Sequence, residues 1–166
     1  MKFKAVCIVV LTLSLLGLPQ TSTASAKNKN SVTGAQGQVL KVSKSVVKNN
    51  SKITVTGAGF DQSVGIYVGF CVVPPAGQAP TPCGGGVNQS GTGDSSYWIS
   101  SNPPPYAINL VEPFAAGGKF KLSLTLKRKI GTFDCTKVKC AVTVRADHLR
   151  GSDRSFDLFI PITIKK

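Results

Sequence analysis

The sequence predicts an all-β protein, a β-sandwich of about seven strands. Three observations carry that expectation. Apolar residues recur with a period of two, the pattern of a strand with one face buried. No segment shows a helical stripe. Gly 17 and Pro 10 in 166 residues, with Asn and Asp, supply turns between the runs.

The strands follow in order along the chain. Val39, Leu40 and Val42 suggest the first, Ile53 and Val55 the second, and Ile66, Val68, Phe70 and Val72 the third. A Pro/Gly-rich stretch, residues 74–93, comes next. Tyr97, Trp98 and Ile99 precede Asn102-Pro103-Pro104-Pro105, whose prolines cannot donate ladder hydrogen bonds and so belong to an edge or loop. The clearest run is 119–127, where Phe120, Leu122, Leu124 and Leu126 alternate with Lys119, Lys121, Ser123, Thr125 and Lys127, the signature of a half-buried antiparallel strand. Val138, Cys140, Val142, Val144 and Ala146 form a further strand, and Phe156, Leu158, Ile160, Ile162 and Ile164 the last.

The amino terminus reads as an export signal. Lys2 and Lys4 precede an apolar stretch, residues 5–18, then Pro19 and the small-x-small pattern Ala24-Ser25-Ala26. The stretch is shorter than the roughly 20 residues a bilayer-spanning helix needs. The expected organisation is a signal peptide at 1–26, a flexible basic leader at 27–37 with order starting near Gln38, and one folded domain at 38–166. No transmembrane anchor is expected. The expected product is a secreted monomer, either released or associated with the cell surface.

Cys7 lies in the signal segment, which leaves Cys71, Cys83, Cys135 and Cys140 for an exported, oxidising setting. Cys71 with Cys83 and Cys135 with Cys140 make the simplest of three connectivities. A zinc site of all four thiolates is the competing reading, disfavoured because no C-x-x-C spacing is present.

The formal charge is +13, from 20 Lys+Arg against 7 Asp+Glu, with a single His. So few acids leave little material for acid-base catalysis, no Ser or Cys sits in a nucleophile elbow, and an enzyme is not expected. Asp147, Asp153 and Asp157 lack the dense spacing of a calcium loop and read as turn caps, and no metal is expected.

Gly57-Ala58-Gly59-Phe60 with Ile66-Tyr67-Val68-Gly69-Phe70-Cys71 resembles the second and third strands of the neocarzinostatin-type chromoproteins, and residues 131–140 are similar to that family's second disulfide hairpin. The likeness extends over most of residues 38–164. It implies an immunoglobulin-like Greek-key sandwich and the two near-neighbour disulfides. It also implies a cleft that in some members carries an enediyne chromophore directed at DNA, so an apoprotein that protects a small apolar chromophore is one alternative. The stretch 145–155 is more similar to neocarzinostatin-like modules of secreted Gram-positive surface proteins. Some of these accompany haem-uptake domains, which adds an accessory role in surface haem uptake; its axial ligand would have to be His148 or a tyrosine.

Two candidate binding surfaces emerge. Lys119, Lys121, Lys127, Arg128, Lys129, Lys137 and Lys139 would form a cationic sheet face for an anionic envelope polymer, with DNA contact non-specific if any; a merely solubilising face is the competing reading. Tyr97, Trp98, Tyr106 and Phe114, with Val73, Thr143 and Arg145 at the cleft positions the resemblance indicates, would bind a ligand. A loop plug over the core is the competing reading there. The leading expectation is a secreted, non-enzymatic binding module.

Overall fold

The structure, a computed structural model, describes residues 29–85 and 94–165. The expected signal segment 1–26, with Cys7, the first residues of the expected leader and part of the Pro/Gly-rich stretch lie outside the described residues. Eleven strands are present among those described: β1 (Ser31–Thr33), β2 (Val39–Val42), β3 (Val46–Val47), β4 (Ser51–Ala58), β5 (Ile66–Val72), β6 (Ser96–Ile99), β7 (Phe120–Leu126), β8 (Lys129–Ile130), β9 (Phe133–Asp134), β10 (Cys140–Ala146) and β11 (Leu158–Ile164). Of the seven with four or more residues, six are those that the period-two pattern marks, and the seventh, β6, holds Tyr97, Trp98 and Ile99, which show no such period. The other four are too short to show a period. Residues 148–150 and Pro105–Ala107 form single 3-10 turns.

One sheet has the order β1-β2-β4-β7 and the other β3-β11-β10-β5-β6, while β8 and β9 make a separate hairpin. The chain is an immunoglobulin-like Greek-key β-sandwich. After β2 it leaves the first sheet, and β3 pairs in parallel with β11 at Val46↔Thr163 and Val47↔Ile164. Pairing also begins earlier than Gln38. Ser31 opposes Lys41 and Thr33 opposes Val39, so the segment expected to be a flexible leader contributes an edge strand.

The register explains the core. Ile53 faces Leu124 and Val55 faces Leu122 on the inner face of the first sheet, and Val142 stands between Phe70 and Ile160 in the second. These seven side chains are buried, and burying each contributes about 1.5–3 kcal/mol. Phe60 closes one end against Phe120, ring centroids 5.3 Å apart, and against Phe114 at 6.3 Å. Gly118 sits beneath Phe60 at φ +60°, where an added Cβ would come 1.9 Å from the Phe60 carbonyl oxygen, so a side chain is excluded both sterically and by backbone conformation.

Disulfides join Cys71 to Cys83 and Cys135 to Cys140. The first fastens the loop after β5 back onto that strand; the second closes the turn between β9 and β10. Among the described residues no helix is long and apolar enough to cross a membrane.

Candidate functional site

The sandwich presents two outer faces of opposite character. On the first sheet, alternation points the polar half of each strand outward. Register lines up Ser31, Lys41, Thr56 and Lys121 in one row across all four strands, with Thr54 opposite Ser123 and Lys52 opposite Thr125 in adjoining rows. Lys41, Lys52 and Lys121 are exposed, and Lys119 and Lys127 flank the edge strand β7. The seven acidic residues are Asp61, Asp94, Glu112, Asp134, Asp147, Asp153 and Asp157, and none lies in these four strands. The face is therefore built from Lys, Ser and Thr alone, apart from the apolar Val39 and Ala58. Strands spaced about 4.8 Å apart put Lys41 and Lys121, two strands apart, about 10 Å from one another at the backbone.

The seven expected basic residues do not share this surface. Lys119, Lys121 and Lys127 belong to β7 and its flanks, whereas Lys129, Lys137 and Lys139 belong to the hairpin and turn around the second disulfide. Arg128 is engaged with Asp134: its Nε donates to Oδ1 at 2.9 Å and to Oδ2 at 3.0 Å. That fork, with donors from Thr136, holds the Asp134 carboxyl well below the usual carboxylate range. Lys41 and Lys52 were missed in the sequence because each stands on a short or weakly patterned strand, although both obey the same outward alternation as Lys121.

The outer face of the second sheet is mostly covered. Tyr67, Gly69 and Cys71 on β5, Ser96 and Trp98 on β6, and Ala141 and Thr143 on β10 point away from the main core yet are buried. Strands buried on both sides lose the alternation that marks a solvated face. Over Tyr67 and Trp98 the cover is the segment 100–112, whose Ala107, Leu110 and Val111 pack against them in a second small core.

A connected polar and aromatic group threads this cover. Trp98, 1% exposed, donates from Nε1 to Asp147 Oδ2 at 3.0 Å. Asp147 Oδ1 in turn accepts the Leu149 amide at 3.0 Å and caps the 3-10 turn His148–Arg150. His148 stands edge-on to the Trp98 ring, centroids 5.0 Å apart. Its Nδ1 lies 2.6 Å from the Tyr67 hydroxyl and its Nε2 2.7 Å from that of Tyr106. The Arg145 guanidinium lies over the Tyr67 ring, 5.4 Å from its centroid. Burial, and next the Asp147 charge, push the Tyr67 hydroxyl up to about 12. Burial likewise lowers the Arg145 pKa, with Arg154 adding to the effect. Asp157, paired with Arg154 at 3.1 Å, is raised to about 6 because its desolvation outweighs the nearby guanidinium charges.

The expected ligand residues are divided between the two sides of the sheet. Tyr97 faces the main core and donates its hydroxyl to the Ser123 carbonyl at 3.2 Å. Phe114 is buried in the same core. Val73 continues β5 and bonds the Lys139 carbonyl at 2.9 Å. Trp98, Tyr106, Thr143 and Arg145 do share the outer side. The depression beside Thr143 and Arg145, lined also by Tyr67, Gly69, Cys71 and Ser96, has a volume of about 10 Å³, room for about one water. A larger cleft of about 310 Å³ lies between the two disulfide loops, bordered by Phe70, Cys83, Asp94, Lys127, Lys129 and Ile130. None of the expected ligand residues lines it. His148, Tyr67 and Asp147 were not among those residues, since only the fold brings positions 67, 106 and 148 together.

Asp147, Asp153 and Asp157 do not converge: Asp153 caps the Ser155 amide at 2.9 Å, and no group of three or more metal-ligating side chains occurs among the described residues.

No family model matches the chain, and no curated protein does. The solved structures that match include macromomycin, 16% identical, with a TM-score of 0.48 over 77% of this chain and 99% of that one. The sandwich rests on the strand pairings themselves.

Proposed function

We propose that the protein is a secreted, non-enzymatic binding module that holds an anionic envelope polymer on the outer face of its four-stranded sheet. One observation carries the reading: five lysines stand on or beside a Ser/Thr-lined face whose strands contain no carboxylate. Cations spaced at about a Debye length reinforce one another's field, and without interspersed acids nothing neutralises it locally. Hydroxyls between the lysines add donors for phosphate or carboxylate oxygens. The two disulfides suit an oxidising, extracellular setting.

A carrier of a small apolar chromophore is less well supported. Drug-sized ligands occupy about 300 Å³ or more of mostly apolar space. The outer-face depression holds about one water, and the larger cleft is flanked by Lys127, Lys129 and Asp94.

The test is retention on immobilised teichoic acid, eluted with a salt gradient, against a neutral polysaccharide column. The wild-type chain should be retained on the first only. Replacing Lys41, Lys52 and Lys121 together by Glu should abolish retention at moderate salt, while the same change at Lys129, Lys137 and Lys139 should shift elution less. Unchanged elution of the first triple variant would refute the assignment.

A further inference from the structure

The chain's crossing between the two sheets gathers lysines around a cleft. Residues 43–45 lead out of the first sheet, anchored by the Ser43 amide on the Thr54 carbonyl at 2.9 Å and the Thr54 amide on Ser43 Oγ at 3.0 Å. β3 then lies beside the end of β11, and the chain returns to β4 through a turn in which Asn50 has a φ of +60°. Lys44 stands before β3 and Lys48 after it, Lys52 is the second residue of β4, and Lys165 follows β11. The parallel pairing and the return turn thus bring cations from both ends of the folded chain to one place. They border a cleft of about 350 Å³, together with Ser51 and the two valines of β3.

No carboxylate lines this cleft, and the four lysines are exposed. The ion pairs among the described residues join Arg128 to Asp134 and Arg154 to Asp157, so none offsets these ammonium groups. Four like charges around one concavity repel one another and focus a positive potential in it. An anion placed there relieves the repulsion, and a dianion does so more than a monoanion. Lysine offers a compact point charge that suits phosphate, whereas the planar fork that matches a carboxylate edge-on belongs to arginine, which the cleft lacks. Ser51 completes the set of donors. Its Oγ accepts the Lys48 amide at 3.2 Å, which leaves the hydroxyl hydrogen to donate to a ligand oxygen.

We propose that this cleft binds a phosphomonoester, its phosphate held by Lys44, Lys48, Lys52 and Lys165 and by the Ser51 hydroxyl. Such a group carries about −1.5 to −2 charge at neutral pH and three acceptor oxygens, against one charge on a phosphodiester or carboxylate. The site goes beyond the lysine face. Lys52 borders both, but Lys44, Lys48 and Lys165 lie outside the four-stranded sheet, and the cleft needs no polymer on that sheet.

The experiment is titration of the full secreted chain with glycerol phosphate at fixed ionic strength, followed by amide nuclear magnetic resonance spectra, beside dimethyl phosphate and acetate. The expected result is saturation at one ligand per chain, with the Lys44, Lys48, Ser51 and Lys165 amides moving on a single curve, and about tenfold weaker binding of the two monoanions. Lys44→Met, Lys48→Met and Lys165→Met combined, all at exposed positions, should abolish saturation while Trp98 fluorescence stays unchanged. Lys41→Met with Lys121→Met should leave it intact, which separates this site from the sheet face. Vesicles containing phosphatidic acid present the same group on a lipid: sedimentation with them that the triple variant loses assigns the phosphate to a membrane, and its absence beside saturation by glycerol phosphate assigns it to a soluble molecule. Equal binding of either monoanion, shifts confined to β2, β4 and β7, undiminished binding by the triple variant, or no saturable binding would each overturn the assignment.

Discussion

Replacing Asp147 by Ala should destabilise the protein well beyond its small loss of volume. Two hydrogen bonds end on this buried carboxylate, one from Trp98 Nε1 and one from the Leu149 amide. Without Asp147 the indole N–H, 1% exposed at the level of the residue, has no acceptor, which costs about 1–3 kcal/mol. Loss of the cap on the His148–Arg150 turn adds about 1 kcal/mol. The sum is about 3 kcal/mol; for a domain with a urea slope of about 1.5 kcal/mol/M the midpoint should fall by about 2 M. Trp98 is the single tryptophan, so its emission reports both unfolding and the local change. Asp147→Asn retains one acceptor and should lose about half as much. Trp98→Phe, followed by circular dichroism, should make the Asp147→Ala change much cheaper, with a coupling of at least about 1 kcal/mol. A midpoint shift under about 0.3 M for Asp147→Ala, with unaltered emission, would refute this account of how the outer core is fastened.

Asp157 should make stability fall between about pH 4 and pH 7. Its folded pKa is raised to about 6, so the stability tied to its protonated form is complete below the unfolded value and is lost as pH rises through the folded one. Solvent screening of this half-buried group limits the effect to about 1–2 kcal/mol, and Asp157→Asn should flatten that slope in unfolding midpoints measured across the range. Asp61, Asp134 and Asp153, all lowered by hydrogen bonds or ion pairing, should produce the opposite loss below about pH 4. Replacing Cys71 and Cys83 together by Ala should cost about 3 kcal/mol and replacing Cys135 and Cys140 about 2, since their separations of 12 and 5 residues close loops of different length; urea midpoints in the reverse order would contradict the loop-entropy argument.

The sandwich was legible because five of its strands alternate cleanly or nearly so, and Leu122, Leu124 and Leu126 show how a solvated outer face exposes the period. Where a strand is buried on both sides the signal fades. Trp98 and Tyr97 are neighbours in sequence, and only the strand geometry reveals that they serve different cores. The same pleat explains why Lys119 and Lys121 were read as surface cations, while their relation to Lys41 required the register of β2, β4 and β7. The Tyr67, Tyr106 and His148 contact joins residues more than thirty positions apart through two irregular turns, and no local pattern announces it. β1 escaped notice for a simpler reason: three residues of mixed polarity in a Lys/Asn/Ser/Gly-rich stretch carry no period.

The parallel pairing of β3 with β11 has a mechanical consequence. Its links include the Thr163 amide to the Ser45 carbonyl and the Lys165 amide to the Val47 carbonyl, each 2.8 Å. Because the two strands run in the same direction, tension between the chain ends slides one along the other and loads these bonds together instead of peeling them one at a time. β1 and β2 precede β3 and belong to the lysine-bearing sheet, so a pull from the amino-terminal side reaches this pairing only through them, and the β3–β11 clamp protects the second sheet after the first has begun to give way.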